Sequence, residues 1–228
     1  MTEIFKIIKK TLLFLAISLS MVTLASFSII KQFSRPPSEE IGSLSNVSEV
    51  VPNSESKAVL KSRLSAVRVL TTSPDMLVFS SASGTYFTHA GKYYVLTVNH
   101  GITGPCVTAT ISVGSRNIPC IRYIELNVPF DYAIIQVEKI DELTPIALPN
   151  DLPKGDNWKR SLSVMSPTYY TGFPNSAEGP LTLSGYVIGY THDDFLLIHS
   201  YGWAGSSGSG VFSEKGELIG YVIAIDVG

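Results

Sequence analysis

Short β-prone runs separated by turn residues recur from about residue 65 to the end of this 228-residue chain. No stretch among them carries the period of an amphipathic helix. Strands at this spacing are typical of an all-β barrel or sandwich, in which each strand buries one face. The predicted strands are 66–70, 76–80, 84–89, 93–98, 106–113, 118–125, 132–137, 161–166, 181–188, 194–199, 210–212 and 218–225.

A break rich in proline divides these strands into two groups. Prolines at 145, 149 and 153 and a glycine at 155 lie between them. Proline cannot donate to a strand ladder, so such a stretch is typical of a connection rather than of a sheet interior. The sequence therefore predicts a first barrel over about 65–147 and a second over about 158–228.

The N-terminal part of the chain differs in composition. Residues 11–30 carry no charge, and a helix of that length spans the apolar core of a bilayer, about 30 Å thick. A transmembrane anchor within 1–33, then a flexible linker over 34–64, is predicted. Lysines before the run favour a single-pass topology with the later domain on the non-cytoplasmic side. The alternative is a signal peptide cleaved after 23–25, which would release a secreted domain.

The net charge and the cysteine content limit the kinds of ligand that the chain is expected to bind. The formal net charge is −2, so there is no electrostatic case for nucleic-acid binding. Cys106 and Cys120 flank a predicted hairpin and could form one disulfide in an exported domain or remain two core thiols. Two cysteines without neighbouring histidines do not make a zinc site, and no metal or other cofactor is predicted.

Four histidines could serve as a base. His100 ends the strongly apolar strand 93–100, and a strand end can present an imidazole at a cleft. His89 and His192 fall in predicted turns, which favour solvent-facing side chains. His199 ends another predicted strand and is the secondary candidate.

Two further features could complete a catalytic set. Asp131 stands at the edge of the apolar run 128–137, where a carboxylate needs a partner such as a histidine N–H; a turn cap is the alternative. Residues 204–210 have almost no side-chain bulk and, taken alone, suit a linker as well as a backbone cradle around a serine. A serine nucleophile needs a base, an orienting carboxylate and N–H donors for the oxyanion.

Three blocks in this order resemble the trypsin/chymotrypsin-like serine proteases, in particular the compact glutamyl endopeptidases and exported heat-shock-type proteases. They are 96–100 (Leu-Thr-x-x-His), 131–134 (Asp-Tyr-Ala-Ile) and 205–209 (Gly-x-Ser-Gly-Ser). Weaker likenesses lie in 84–100 and 172–187. The resemblance covers about 65–228 and implies two six-stranded antiparallel Greek-key barrels of the chymotrypsin type.

The resemblance also implies roles for single residues. Ser207 would be the nucleophile, His100 the general base and then acid, and Asp131 the orienting carboxylate. The backbone N–H groups of Gly205 and Ser207 would hold the oxyanion. The implied activity is hydrolysis of a polypeptide substrate through an acyl-enzyme. Together with the anchor predicted from residues 11–30, this gives an endopeptidase held to a membrane by its N-terminal helix.

Substrate preference is implied by positions around the pocket, which Tyr201, Val222 and Ile223 are expected to line. Tyr201 stands where an acid would select lysine or arginine. Val222 stands where glutamyl-specific relatives carry a histidine. A preference for glutamate is therefore not expected, unless His199 takes the place of that histidine. A small or apolar substrate side chain is therefore the expectation.

The chain departs from the family's pattern at its end. It stops at Gly228, before the last strand usual in the family, so the second barrel is expected to be incomplete or closed by a strand from elsewhere. The rival hypothesis is accordingly a catalytically inactive, membrane-tethered module that binds a peptide without cutting it. A third is an anchored structural β-domain whose motif matches are accidental.

Overall fold

The computed structural model describes residues 56–148, 162–175, 177–191 and 195–224. In these ranges one α-helix, α1 (Lys57–Ser65), precedes thirteen strands in two sheets. The first sheet contains β1 (Ala66–Thr72), β2 (Phe79–His89), β3 (Lys92–Val98), β4 (Ala109–Val113), β5 (Arg116–Pro119), β6 (Arg122–Asn127), β7 (Tyr132–Val137) and β8 (Ile146–Ala147). The second contains β9 (Pro167–Gly172), β10 (Leu181–Tyr190), β11 (Leu196–His199), β12 (Gly210–Ser213) and β13 (Leu218–Tyr221).

The first sheet runs in the order β5-β4-β1-β2-β3-β7-β6. Its ladders are antiparallel except for the short β8, which pairs in parallel with β2. Strand β7 shows why these residues form strands, since Ala133, Ile135 and Val137 are buried while the residues between them are half-exposed. A side-chain period of two places one apolar row on the core face, where Val95 and Ile111 also lie.

The second sheet runs in the order β11-β10-β9-β12-β13 and is antiparallel throughout its described ladders. The sequence predicted two six-stranded barrels, whereas the described residues form sheets of eight and five strands. The predicted strand 118–125 is split at Cys120 and Ile121 into β5 and β6. The predicted strand 161–166 contains a turn, and β9 begins only at Pro167, a position that proline tolerates because it opens the strand.

Helix α1 lies where the two sheets meet. Ala58 is fully buried in a cluster with Phe87 and Ile146 of the first sheet and Phe212 of the second. The linker predicted over 34–64 therefore does not extend to residue 64, because its last part is this helix. The apolar period that would have predicted it is missing, since the buried face consists of alanine and serines.

The predicted anchor at 11–30 and most of the predicted linker lie outside the described residues. Within the residues that are described, no helix combines the length and apolar character needed to cross a bilayer.

A disulfide joins Cys106 and Cys120, whose Cα atoms are 5.4 Å apart. Cys106 opens a 3-10 turn at Cys106–Thr108, and Cys120 follows β5 and packs against the first core. The bond thus closes the hairpin of β4 and β5 at its open end.

Candidate active site

His100 follows β3 in a 3-10 turn at Asn99–Gly101. The strand before it is held by buried Val95, Thr97 and Val98, so the turn projects from a rigid element. The His100 side chain remains 52% exposed, which leaves its ring accessible to a ligand. His100 thus occupies the strand end at which the sequence predicted a base.

Asp131 contacts His100 at two points. Its Oδ1 accepts the backbone N–H of His100 at 2.8 Å, and its Oδ2 lies 2.6 Å from the ring Nδ1. An ionised carboxylate can only accept, so Nδ1 must carry the proton that is shared. In a neutral imidazole this leaves Nε2 with a free lone pair, which is the state that a general base requires.

The loop that contains Ser207 is fixed on both sides by backbone hydrogen bonds. Ser83 N–H on β2 donates to the Ser207 carbonyl at 2.8 Å, and Gly208 N–H donates to the Val222 carbonyl at 2.7 Å. Gly208 has a φ of 91°, and a Cβ there would lie 2.0 Å from the Ser83 carbonyl oxygen. Only glycine fits this position, because both the backbone conformation and the space exclude a side chain.

Two N–H groups of this loop belong to peptides whose carbonyls are already hydrogen-bonded. The Ala204 carbonyl accepts from Asn175 N–H at 2.9 Å, and the Ser206 carbonyl accepts from the Ser209 hydroxyl at 2.7 Å. In a trans peptide the N–H is opposed to the C=O, so the N–H groups of Gly205 and Ser207 face the other way. Within the described residues neither of these N–H groups donates a hydrogen bond.

Ser83 is a further residue beside the candidate site, and no sequence motif predicts it. Its carbonyl accepts from the Thr97 hydroxyl at 2.6 Å, while its N–H holds Ser207. Since Thr97 stands three residues before His100, Ser83 joins the Ser207 loop to the strand that presents the imidazole. In the sequence Ser83 is distinguished only by its place among the small residues of β2, which is a weak signal.

The other histidines do not contact Asp131 or the Ser207 loop within the described part of the chain. His89 is exposed at the turn between β2 and β3. His199 ends β11, and its ring lies 5.2 Å from that of Tyr186. His192 lies outside the described residues.

The residues predicted to line the pocket differ in how firmly they are held. Tyr201 is 76% exposed, and its ring stacks on Trp203 at 6.2 Å. Its carbonyl accepts from the buried Tyr170 hydroxyl, and burial raises the pKa of Tyr170 to about 12. Val222 is paired with the Ser207 loop, and Ile223 follows it half-buried.

Comparisons with known proteins agree with this architecture. Residues 82–220, more than half of the chain, match the family model of the trypsin-like peptidase domain. A serine endoprotease from Yersinia pestis is similar in structure, with a TM-score of 0.57 and 20% identity, over 75% of this chain and 58% of that one. The active form of a protease from M. tuberculosis has a TM-score of 0.57 and 15% identity, over 86% and 83% of the two chains.

A search of curated protein sequences finds no match. The matched part of the chain spans little more than half the length of the Yersinia pestis protease. The structural similarities have low sequence identity and establish the fold, which is chymotrypsin-like. The match of the family model to 82–220 establishes the family, and the chain therefore belongs to the trypsin-like serine peptidases.

Proposed function

We propose that this protein is a serine endopeptidase in which His100, Asp131 and Ser207 form the catalytic triad. The observation that carries the proposal is the two-point contact of Asp131 with His100, at the backbone N–H and at Nδ1. A carboxylate that only capped a turn would not need to meet the imidazole ring. This contact orients the ring and fixes the tautomer that a base requires.

The proposed reaction passes through an acyl-enzyme. The Ser207 hydroxyl oxygen attacks the scissile carbonyl carbon while its proton moves to Nε2 of His100. The imidazolium then gives that proton to the leaving amine, the C–N bond breaks, and the acyl group stays on Ser207. Water repeats the sequence with His100 as base and releases the acid. Asp131 stabilises the imidazolium in both halves.

The N–H groups of Gly205 and Ser207 are proposed to hold the oxyanion. The support is that both face away from the carbonyls that anchor their own peptides, and that neither is used within the described residues. Donors fixed in advance stabilise the charge that develops in the transition state without reorganising. Removing one such donor typically costs about 100-fold to 1,000-fold in kcat.

The substrate is proposed to be a polypeptide with a small or apolar side chain before the scissile bond. Tyr201 offers no negative charge to select lysine or arginine, and Val222 offers no imidazole for glutamate. In the described residues β13 pairs only with β12. The edge of β13 that faces away from β12, continued by Ile223, is therefore the proposed place at which an extended peptide pairs.

The N-terminal part is proposed to be a membrane anchor with the peptidase domain on the non-cytoplasmic side. The support is the uncharged run 11–30 and the lysines before it. Secretion after cleavage near 23–25 is the alternative.

A fluorophosphonate probe, which reacts with activated serines, tests the catalytic assignment on the full chain. Wild type should be labelled, Ser207→Ala should not, and His100→Ala should be labelled at most barely, because the hydroxyl loses its base. Ser209→Ala serves as the comparison, because its hydroxyl is buried and already donates to Ser206. Labelling that survives in Ser207→Ala but disappears in Ser209→Ala would overturn the assignment. A folded wild type that takes no label would support the non-catalytic peptide-binding module instead.

A further inference from the structure

Tyr221 reaches from the second sheet to the turn that carries Asp131. It is the last residue of β13, and its hydroxyl donates to the Phe130 carbonyl at 2.6 Å. Its ring meets that of Tyr132 edge-on, with centroids 6.4 Å apart. Tyr221 thus contacts both of the residues that flank Asp131 in the sequence.

The turn that receives this hydrogen bond has an unusual backbone. Asp131 has a φ of 53°, in the left-handed region that residues with a side chain rarely adopt. Asn127 also supports the turn, since its Oδ1 accepts from Phe130 N–H at 3.0 Å. The Phe130 carbonyl belongs to the peptide that leads into Asp131, so the Tyr221 hydroxyl fixes the plane from which the carboxylate projects.

The residue after Tyr221 is hydrogen-bonded to the loop that contains Ser207. Val222 accepts from Gly208 N–H at 2.7 Å and donates to the Ser209 carbonyl at 2.9 Å. These two bonds join Val222 to Gly208 and Ser209, the two residues that follow Ser207. Two consecutive residues therefore contact the turn of Asp131 and the loop of Ser207.

We propose that Tyr221 is a positioning residue. Its hydrogen bond to Phe130 fixes the position of the Asp131 carboxylate relative to the Ser207 loop. The proposal rests on the proposed peptidase function. It assigns Tyr221 no contact with substrate, and its effect passes through Asp131.

The charged and titratable groups around the turn allow the phenol to donate. Asp131 is bound to His100, and Tyr132 donates to Glu125 of β6 at 2.5 Å. Burial, together with the charges of Asp131 and Tyr132, raises the pKa of Tyr221 to about 12. The Tyr221 hydroxyl therefore keeps its proton throughout the neutral range.

Tyr221→Phe removes the hydroxyl and keeps the ring. Because a hydrogen bond of this kind is worth about a factor of ten in an equilibrium, we expect kcat on a peptide substrate to fall about tenfold. KM should change less than about twofold, because Tyr221 does not touch the substrate. Tyr86→Phe is the control: it removes a phenol hydroxyl that accepts from Ile140 N–H in the first core, and should leave kcat unchanged.

Asp131→Asn provides the readout that a purely structural role would not move. If Tyr221 acts through Asp131, Tyr221→Phe should cause little further loss of probe labelling rate in the Asp131→Asn background. A full tenfold loss in that background, or an unchanged kcat in the single variant, overturns the proposal. Thermal melting checks folding, and Tyr221→Leu, which also lacks the hydroxyl, should show the same dependence on Asp131. If the wild type takes no label at Ser207, it is the peptidase function that fails, and not this inference alone.

Discussion

Ser83 performs no chemical step, yet the geometry of the site depends on it. Its hydroxyl donates to the Gly205 carbonyl at 2.7 Å and accepts from Phe173 N–H at 2.8 Å. It is fully buried, so water cannot replace either partner. One side chain therefore sets the distance between β2, the Ser207 loop and the segment that follows β9.

Ser83→Ala should weaken both stability and catalysis. It leaves the Gly205 carbonyl and the Phe173 N–H without their buried partner, at a cost of about 1–3 kcal/mol in unfolding free energy. Thermal melting and the rate of probe labelling should both fall. Thr88→Ala on the same strand is the control, because that exposed hydroxyl bonds only the Lys92 carbonyl in the described structure. Equal effects in the two variants would contradict the role given to Ser83.

The sequence could indicate the three proposed catalytic residues because each stands in a short local block. His100 follows an apolar strand, Asp131 precedes one, and Ser207 lies among glycines. Ser83 and Tyr221 could not be found in this way. Their contacts join segments that are 122 and 91 residues apart, and no local pattern records such a pairing.

At the scale of elements, α1 connects the two sheets through small and polar side chains. The Ser62 hydroxyl donates to the Thr171 hydroxyl at 2.7 Å, and Lys61 Nζ donates to the Gly216 carbonyl at 2.9 Å. On the side of the first sheet, the Leu64 carbonyl accepts from Thr144 N–H at 2.9 Å. The helix therefore belongs to the peptidase domain rather than to a linker.

Ala58→Leu tests this role of α1. Ala58 has 0% exposure between the sheets, and a larger side chain there should cost about 1–3 kcal/mol through overpacking. Lys57→Leu is the control, since it places the same side chain at the exposed neighbouring position. Chemical denaturation of both variants gives the comparison. An Ala58→Leu variant as stable as wild type would show that the helix is not closely packed.

Strand prediction succeeded where burial alternates and failed where apolar residues are exposed. The predicted strand 132–137 is β7, whose inward row is wholly apolar. Only residues 79 and 80 of the predicted strand 76–80 belong to a strand. Met76 has a φ of 61° and Leu77 is 83% exposed, so the first part is an irregular loop. Apolar composition alone could not distinguish this loop from a strand, since the difference lies in what packs against it.

At the scale of the molecule, the proposed site combines parts of both sheets. His100 and Asp131 come from the first, while the Ser207 loop leads into β12 of the second. The division into two groups could be predicted from the prolines between them. The number of strands could not, because it depends on which short segments find a partner across the sheet.

The proposed anchor is tested with the full chain in cells. Labelled protein should remain with the membrane after alkaline washing, because a spanning helix is not held by charge. A variant that lacks residues 1–33 should be released and still take the probe. Soluble wild-type protein that begins just after residue 25 would contradict the anchor and support secretion.

The position of α1 also bears on how the chain folds. The helix is synthesised before the thirteen described strands, but Lys61 and Ser62 find their partners 155 and 109 residues later. Contacts between residues so far apart in the sequence form slowly, because a long loop must close before the contacts can stabilise the chain. The helix must wait for the second sheet, and Ser207 arrives with that sheet. We therefore expect probe labelling of Ser207, the proposed nucleophile, to appear only in the last phase of folding, so that the partly folded chain is inactive.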